Sequence, residues 1–328
     1  MKSPKSKKIV ITLFLILAAV LAAVVILHDN PEADAAQEVV KKILSCLILA
    51  AGSAVFVFAY DKIMILPVEL YQNRRLIWKL AKNDFKRRYV GSYMGIIWAF
   101  IQPIVTIALY YVVFGYIMNG ARTSGSDIPF VLFLTAGMVP WFFFSEMLNS
   151  GTGALMEYSY LVKKVVFKIS ILPIIKAVAA VFTHLFFIAL LLILACICGY
   201  PPSIYTIQVL YYSFCCFVFT LGLTYITCSV IIFFRDLGQI INILLQVLVW
   251  ATPIMWNLDS LHTEWIKVVL KINPMVYIVN GYRSAVYGRE WFFQDFFSTV
   301  YFWVVTVLIF GLGALVFKRL KVHFADVL

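Results

Sequence analysis

The sequence predicts an all-α, polytopic membrane protein with a six-helix core and one or two extra N-terminal spans. Hydrophobic residues make up 63% of the 328-residue chain and charged residues only 13%, and the mean hydropathy is +0.94. Several apolar runs reach the length of about 20 residues that a helix needs to cross a bilayer. The alternating ten-residue segments of a membrane β-barrel are not seen in the sequence.

Residues 1–62 are predicted to form an added membrane hairpin. Four lysines precede an apolar run at 9–27, an acidic stretch follows, and a second apolar run covers 43–60. A small-residue stretch ending at residue 35 leaves open a second interpretation, in which a cleaved signal-like segment is followed by one span. In both cases we expect the chain to have returned to the cytoplasm by Asp61.

Residues 63–93 are predicted to contain a basic amphipathic helix that lies along the cytoplasmic face of the membrane. Apolar residues such as Ile77 and Ala81 share one stripe of this helix, and Lys79 lies opposite them. Asp84 and Arg88 fall on the side of the apolar stripe, four residues apart, where the two side chains can pair. We therefore expect this pair to face protein rather than lipid.

Residues 94–328 form the predicted core, and its orientation follows from the distribution of basic residues. With both termini in the cytoplasm, 20 of the 27 Lys and Arg residues fall inside and 7 outside, as the positive-inside rule requires. This placement explains the formal charge of +11 by contact with anionic lipid and argues against nucleic acid as a partner. The spans are predicted at 94–117, 130–148, 177–197, 209–234, 237–256 and 296–317.

Two segments between the predicted spans are unusual. The cytoplasmic segment 157–173 alternates apolar and basic residues, which suits either a docking element for a soluble partner or an ordinary interfacial helix. The outer segment 257–291 is rich in Trp and Tyr and is interrupted by Pro274. It predicts either a re-entrant pair of short helices lined by protein or an aromatic belt at the outer interface.

Catalytic motifs are not found in the sequence. There is no H-E-x-x-H motif, the four histidines are scattered, and the glycine-containing stretch 120–127 lacks the lysine of a phosphate-binding loop. The six cysteines lie in apolar runs without neighbouring histidine or carboxylate partners, which favours a packing role over a metal site. We therefore predict a chain that is not itself an enzyme and binds no cofactor or metal.

Five groups of residues occur in a characteristic order: Asp84, Arg88, Tyr89, Ser92, Gly95, Trp98 and Pro103; Leu161, Val162, Lys163, Lys164, Phe167, Leu172 and Pro173; Arg235, Asp236 and Leu237; Pro253 and Ile254; and Asn273, Pro274, Met275, Gly281, Tyr282 and Arg283. In this order and spacing, residues 67–328 resemble the membrane subunits of ABC-2-type polysaccharide exporters, the permeases for O-antigen and teichoic acid.

The resemblance implies a homodimer in the cytoplasmic membrane, paired with two copies of a separate ATPase that holds ATP and Mg²⁺. The substrate would be a lipid-linked O-antigen, teichoic acid or capsule-like glycan, moved outward. Segment 161–173 would be the coupling helix, 67–88 the interface helix, and 257–291 the gate. The residues implied are Leu161, Lys163, Lys164, Val165, Phe167 and Pro173 for coupling; Asp84, Arg88, Tyr89 and Trp98 at the interface helix; Arg235 and Asp236 in a cytoplasmic turn; and Trp250, Pro253, Trp256, Trp265, Asn273, Pro274, Tyr277, Tyr282 and Arg283 along the glycan channel.

Two departures from the family pattern concern the coupling segment. Lys168 stands where the family often has proline, and Tyr158, Ser159 and Tyr160 occupy a region where it tends to have asparagine. Two other functions stay open. One is an ABC-2 exporter of a drug or lipid. The other is a membrane glycosyl- or acyltransferase, which needs a carboxylate or histidine cluster at one membrane face, and the sequence alone indicates none.

Overall fold

A computed structural model describes residues 4–27, 35–88, 91, 93–117, 128–163, 168–258 and 263–327. Within these ranges the chain is largely helical and contains no strand, which confirms the predicted all-α class. The α-helices are α1 Pro4–Leu27, α2 Ala35–Ile63, α3 Ile65–Arg87, α4 Trp98–Tyr110, α5 Phe130–Thr152, α6 Ala154–Glu157, α7 Ser159–Val162, α8 Leu172–Ile197, α9 Gln208–Val230, α10 Leu237–Ala251, α11 Glu264–Lys271, α12 Pro274–Arg283, α13 Phe296–Leu320 and α14 Phe324–Val327.

The chain divides into two compact units, residues 1–73 and 74–328. In the first unit, α1 and α2 pack together as an antiparallel hairpin. Lys7 near the start of α1 forms an ion pair with Asp61 near the end of α2, at 2.6 Å, and Phe14 stacks on Phe56. Both helices are long and apolar enough to cross a membrane, and none of the residues in their most apolar windows is buried. Their apolar surface is therefore available to lipid.

Helix α5 lies at the centre of the second unit, packed against α8, α9 and α12, and α9 packs in turn along α13. The contact between α9 and α13 is close because both helices place a glycine there. A Cβ atom on Gly313 would lie 2.5 Å from the carbonyl oxygen of Gly222. Small residues that let backbones approach in this way are typical of helix packing in membranes.

Seven helical stretches in the described residues are long and apolar enough to span a membrane: 7–27, 38–58, 95–117, 130–152, 169–197, 204–230 and 296–323. Five of the six predicted core spans lie within these stretches or overlap them closely. The stretch 95–117 combines a 3₁₀ turn, α4 and a π-helical segment.

The fifth core span is shorter than predicted. Helix α10 ends at Ala251, five residues before the predicted end, and has 15 residues. Thr252 adopts an extended conformation, as expected for a residue that precedes a proline, here Pro253. At about 1.5 Å per residue, α10 covers about 22 Å, less than the roughly 30 Å of a hydrocarbon core.

The two unusual segments each consist of short elements. Within 157–173, α7 is a single turn, Lys168 is extended, and a 3₁₀ turn at Ile169–Ile171 leads into α8; residues 164–167 lie outside the described residues. Within 257–291, α11 and α12 are followed by a π-helical turn at Ser284–Gly288; residues 259–262 lie outside the described residues.

Candidate functional site

A cluster of five charged residues lies at one end of the second unit, and we call it the charge cluster: Asp84, Arg88, Glu146, Glu157 and Lys176. Asp84, at the end of α3, accepts hydrogen bonds from Arg88 Nη2 at 3.2 Å and from Lys176 Nζ at 2.6 Å. Arg88 Nη1 also donates to Glu146 Oε1 at 2.7 Å, and Lys176 to Glu157 Oε2. The predicted pair of Asp84 and Arg88 therefore forms, as part of a larger network.

The burial of these side chains determines how much the charge cluster contributes to stability. Asp84 is 5% exposed and Lys176 is 2% exposed, so water screens their attraction little. Because a buried charge without its partner is strongly unfavourable, breaking a buried ion pair costs about 3–5 kcal/mol. The charge cluster therefore holds the end of α3 firmly against the start of α8.

Tyr158 adds a neutral donor to the charge cluster. Its hydroxyl donates to Asp84 Oδ1 at 3.0 Å. Burial, reinforced by the neighbouring Asp84 carboxylate, raises the pKa of Tyr158, so the phenol stays protonated and remains a donor. Tyr158 and Glu157 both belong to the predicted coupling segment, which thus contacts α3 and α8 directly.

The sequence reasoning missed Glu157 and Lys176 as members of this site. It also took the chain to lack a carboxylate cluster at one membrane face, and the structure corrects this by bringing Asp84, Glu146 and Glu157 together. One signal was available: a lysine four residues into an apolar helix needs a buried partner. The carboxylates are held in ion pairs with Arg88 and Lys176, which suits a structural link better than an acid or base in a transferase.

A polar cavity of about 630 Å³ adjoins the charge cluster. It lies between α4, α5 and α8, and its lining includes Arg88, Trp98, Gln102, Glu146 and Thr183. Trp98, predicted at the interface helix, thus meets Arg88 and Glu146 across this space. Tyr89, predicted beside them, lies outside the described residues.

The other predicted cytoplasmic residues lie outside the charge cluster or outside the described residues. Lys163 is exposed at the end of α7, Leu161 is half-buried, and Pro173 is buried in the first turn of α8; Lys164, Val165 and Phe167 lie outside the described residues. Arg235 and Asp236 are exposed between α9 and α10 and make no ion pair in the part of the chain that the structure describes.

The opposite end of α5 packs against α12, which is buried along most of its length. Asn273 caps α12: its Oδ1 accepts from the backbone N–H of Met275 at 3.0 Å, and its Nδ2 donates to Thr252 at 2.9 Å. Pro274 follows in the first helical turn, where its missing N–H is not needed. The bend after α10 and the start of α12 are therefore tied together.

Two tyrosines join α12 to the spans beside it. Tyr277 shares hydrogen bonds with Tyr211 of α9 at 3.2 Å and with Thr299 of α13 at 3.0 Å. Tyr282 is fully buried and bonds to Ser213 of α9 and His184 of α8. Satisfied hydrogen bonds of this kind fix the position of a helix in an apolar interior.

A second cavity, of about 950 Å³, opens at this end of the unit, and we call it the aromatic cavity. Pro274, Tyr277 and Arg283 from the predicted channel set line it. Its lining also includes residues outside the predicted channel set, namely Tyr212, Asn280, Ser284, Tyr287, Trp291 and Tyr301.

The remaining residues of the predicted channel set lie elsewhere. Trp250 is half exposed and packs near Tyr110 and Phe114. The indole of Trp256 donates to the backbone of Trp250 at 3.3 Å. Trp265 is exposed on α11, and Pro253 is buried in the bend after α10. None of these four residues is among those that line the aromatic cavity.

Comparison with known proteins identifies this architecture. A family model described as ABC-2 type transporter matches residues 75–287. The chain belongs to the ABC-2 type transporter family. The matched region contains the whole charge cluster and α12, while the hairpin of α1 and α2 lies outside it.

Individual relatives agree with the family match. The O-antigen export system permease protein RfbA of Myxococcus xanthus is 29% identical over 259 residues, 79% of this chain and 97% of the relative. The RfbA protein of Klebsiella pneumoniae is 24% identical over 77% of this chain and 95% of its own length. The polysialic acid transport protein KpsM of Escherichia coli is 28% identical over 63% of this chain and 79% of its own length.

Proposed function

We propose that this chain is the permease subunit of an ABC exporter that carries a lipid-linked polysaccharide outward across the cytoplasmic membrane. The observation that carries the proposal is the similarity to O-antigen permeases over almost their entire length. The polymer would be an O-antigen, a teichoic acid or a capsule-like glycan. The aromatic cavity supports a carbohydrate over an apolar drug, because its lining contains both polar groups and aromatic side chains.

The exporter would consist of two copies of this chain and two copies of a separate ATPase subunit, which would hold ATP and Mg²⁺. With 20 of the 27 Lys and Arg residues inside, both termini and the charge cluster would lie at the cytoplasmic side. The aromatic cavity, at the opposite end of α5, would then face outward. The membrane lipids would surround the apolar spans.

The coupling step would pass through the contacts of segment 157–173. When the ATPase closes on ATP, it would push on this segment around Leu161 and Lys163. Glu157 and Tyr158, bonded to Lys176 and Asp84, would transmit the motion to α8 and α3. Helix α8 also reaches α12, since His184 bonds to Tyr282. The same helix would thus connect the ATPase side with the aromatic cavity.

Deletion of the gene tests the proposed function in the cell. We expect surface polysaccharide to disappear and lipid-linked polymer to accumulate inside, with recovery when the full chain is supplied again. Unchanged surface polymer together with altered resistance to apolar drugs would favour the drug or lipid exporter. Unfinished or unmodified polymer inside the cell would favour the transferase.

A photo-crosslinking experiment tests the proposed orientation and the ATPase contact. A photo-reactive amino acid in place of exposed Lys163 should capture the ATPase subunit. The matched control is the same replacement at Arg289, which is also exposed but would lie on the outer side. Capture from position 289 and not from 163 would contradict both the orientation and the coupling segment.

A further inference from the structure

Arg283 is a buried cation at the edge of the aromatic cavity. It ends α12, is 7% exposed, and lines the cavity together with Phe133. The guanidinium lies over the Phe133 ring, with 3.6 Å between its Cζ atom and the ring centre. Nη2 donates to the carbonyl oxygen of Ile254 at 2.7 Å. These neutral contacts hold the group in place and leave its full positive charge.

Within the described part of the chain, no carboxylate balances the charge of Arg283. Among the described residues no Asp or Glu forms an ion pair with it, its contact with Asn280 is long at 3.5 Å, and its Nε–H has no acceptor. Burying an ion without a counter-charge is strongly unfavourable. An ionisable group kept in an apolar interior at this cost, beside a cavity, indicates a binding role.

The rest of the lining suits a sugar. Tyr287 and Trp291, both partly exposed, offer flat aromatic surfaces, and Asn280 and Ser284 offer hydrogen bonds. The lining also contains two carboxylates and one further cation, all on exposed residues where water weakens their fields: Glu290, Asp295 and Lys271. The carboxylates can accept bonds from sugar hydroxyl groups, and Arg283 is the buried charge of the described lining that has no carboxylate partner.

We propose that the aromatic cavity binds an anionic sugar unit of the exported polymer, with Arg283 donating to its carboxylate or phosphate oxygens. The inference rests on the proposed export function and extends it by naming the charge of the bound sugar. The planar guanidinium can donate two parallel hydrogen bonds to either anion. The aromatic side chains provide the surface on which the sugar ring stacks.

Binding to the wild-type, full-length protein is the first test, measured by titration calorimetry in lipid nanodiscs. One matched pair of probes is tetragalacturonate and the neutral maltotetraose; a second pair is glucose 6-phosphate and glucose. We expect the anionic member of at least one pair to bind ten-fold or more tightly than its neutral partner. The pair that discriminates identifies the anion as carboxylate or phosphate. Equal affinity within both pairs would overturn the inference and leave the export function standing.

Substitutions then test whether Arg283 is the charge that favours the anionic probe over the neutral one. Arg283→Gln should abolish the preference for the anionic probe, while Arg283→Lys should retain part of it because the charge remains. Arg289→Gln, at an exposed arginine outside the cavity lining, should retain all of it. Loss of the preference in Arg289→Gln with its retention in Arg283→Gln would overturn the assignment.

The wild-type titration also bears on the proposal on which this inference rests. Because the wild-type comparison needs no variant, failure of Arg283→Gln to fold does not remove the test. If neither member of either pair binds, the inference is contradicted, and the carbohydrate role of the aromatic cavity falls with it.

Discussion

Among the described residues, the buried cation at one end of α5 is paired with carboxylates, and the buried cation at the other end is not. At the charge cluster, the buried cation Lys176 touches two carboxylates, and Arg88 touches two as well. At the aromatic cavity, Arg283 is also buried and contacts only carbonyl, amide and ring groups among the described residues. A balanced network makes a stiff joint between elements, whereas an unbalanced charge beside an open cavity is available to a ligand. Under the function proposed above, the balanced end would transmit force from the ATPase and the unbalanced end would contact the substrate.

Asp84→Ala should have the largest effect, because it removes an acceptor shared by Arg88, Lys176 and Tyr158. Loss of a buried partner should lower the free energy of unfolding by about 3–5 kcal/mol. The measurement is thermal unfolding of the detergent-solubilised protein, accompanied by export of surface polymer in cells.

The control for Asp84→Ala is Lys79→Ala, at an exposed position of the same helix. We expect it to leave unfolding within about 0.5 kcal/mol of the wild type. If the two substitutions have equal effects on stability and on export, α3 serves only to anchor the chain at the membrane surface.

Tyr158→Phe should have an intermediate effect on the charge cluster. It deletes the hydroxyl that donates to Asp84 and keeps the ring, and a hydrogen bond to a charged group contributes about 1.5–3 kcal/mol. Tyr160→Phe is the matched control, because Tyr160 is 53% exposed. If the two variants unfold at the same temperature, the Tyr158 hydroxyl does not contribute to the stability of the charge cluster.

Gly281→Ala should lower the free energy of unfolding by an amount comparable to or smaller than that of Tyr158→Phe, because it affects the packing beside the aromatic cavity. A Cβ atom at position 281 would lie 2.0 Å from the buried ring of Tyr212, whereas at Gly288 nothing lies closer than 3.5 Å. Overpacking of this kind costs about 1–3 kcal/mol. Gly281→Ala should therefore unfold at a lower temperature than Gly288→Ala. The reverse order would show that α12 is not packed against α9 at this position.

Features that depend on nearby residues could be predicted from the sequence. The spans follow from runs of apolar residues, and the pairing of Asp84 with Arg88 follows from their spacing of four on one helix. The early end of α10 was also predictable, because Pro253 is visible two residues beyond it.

Features that depend on distant residues could not be predicted. Lys176 contacts Asp84 across 92 positions of the chain. The aromatic cavity is lined by Tyr212 of α9 and Tyr301 of α13 as well as by residues of the outer segment 257–291. Composition indicated that the outer segment 257–291 matters but not which rings share a cavity. Trp250, Trp256 and Trp265 were selected for the same reason as Tyr277, and only the packing separates them.

The central claim is that this chain moves a lipid-linked polysaccharide with energy from a partner ATPase. The most direct measurement is ATP hydrolysis by the purified permease–ATPase complex in lipid vesicles, with lipid-linked polysaccharide or apolar drugs added in turn. We predict that hydrolysis rises with the polysaccharide and that the polymer crosses the bilayer at a matching rate. Hydrolysis that rises only with apolar drugs, or a permease that retains no ATPase on purification, would contradict the claim.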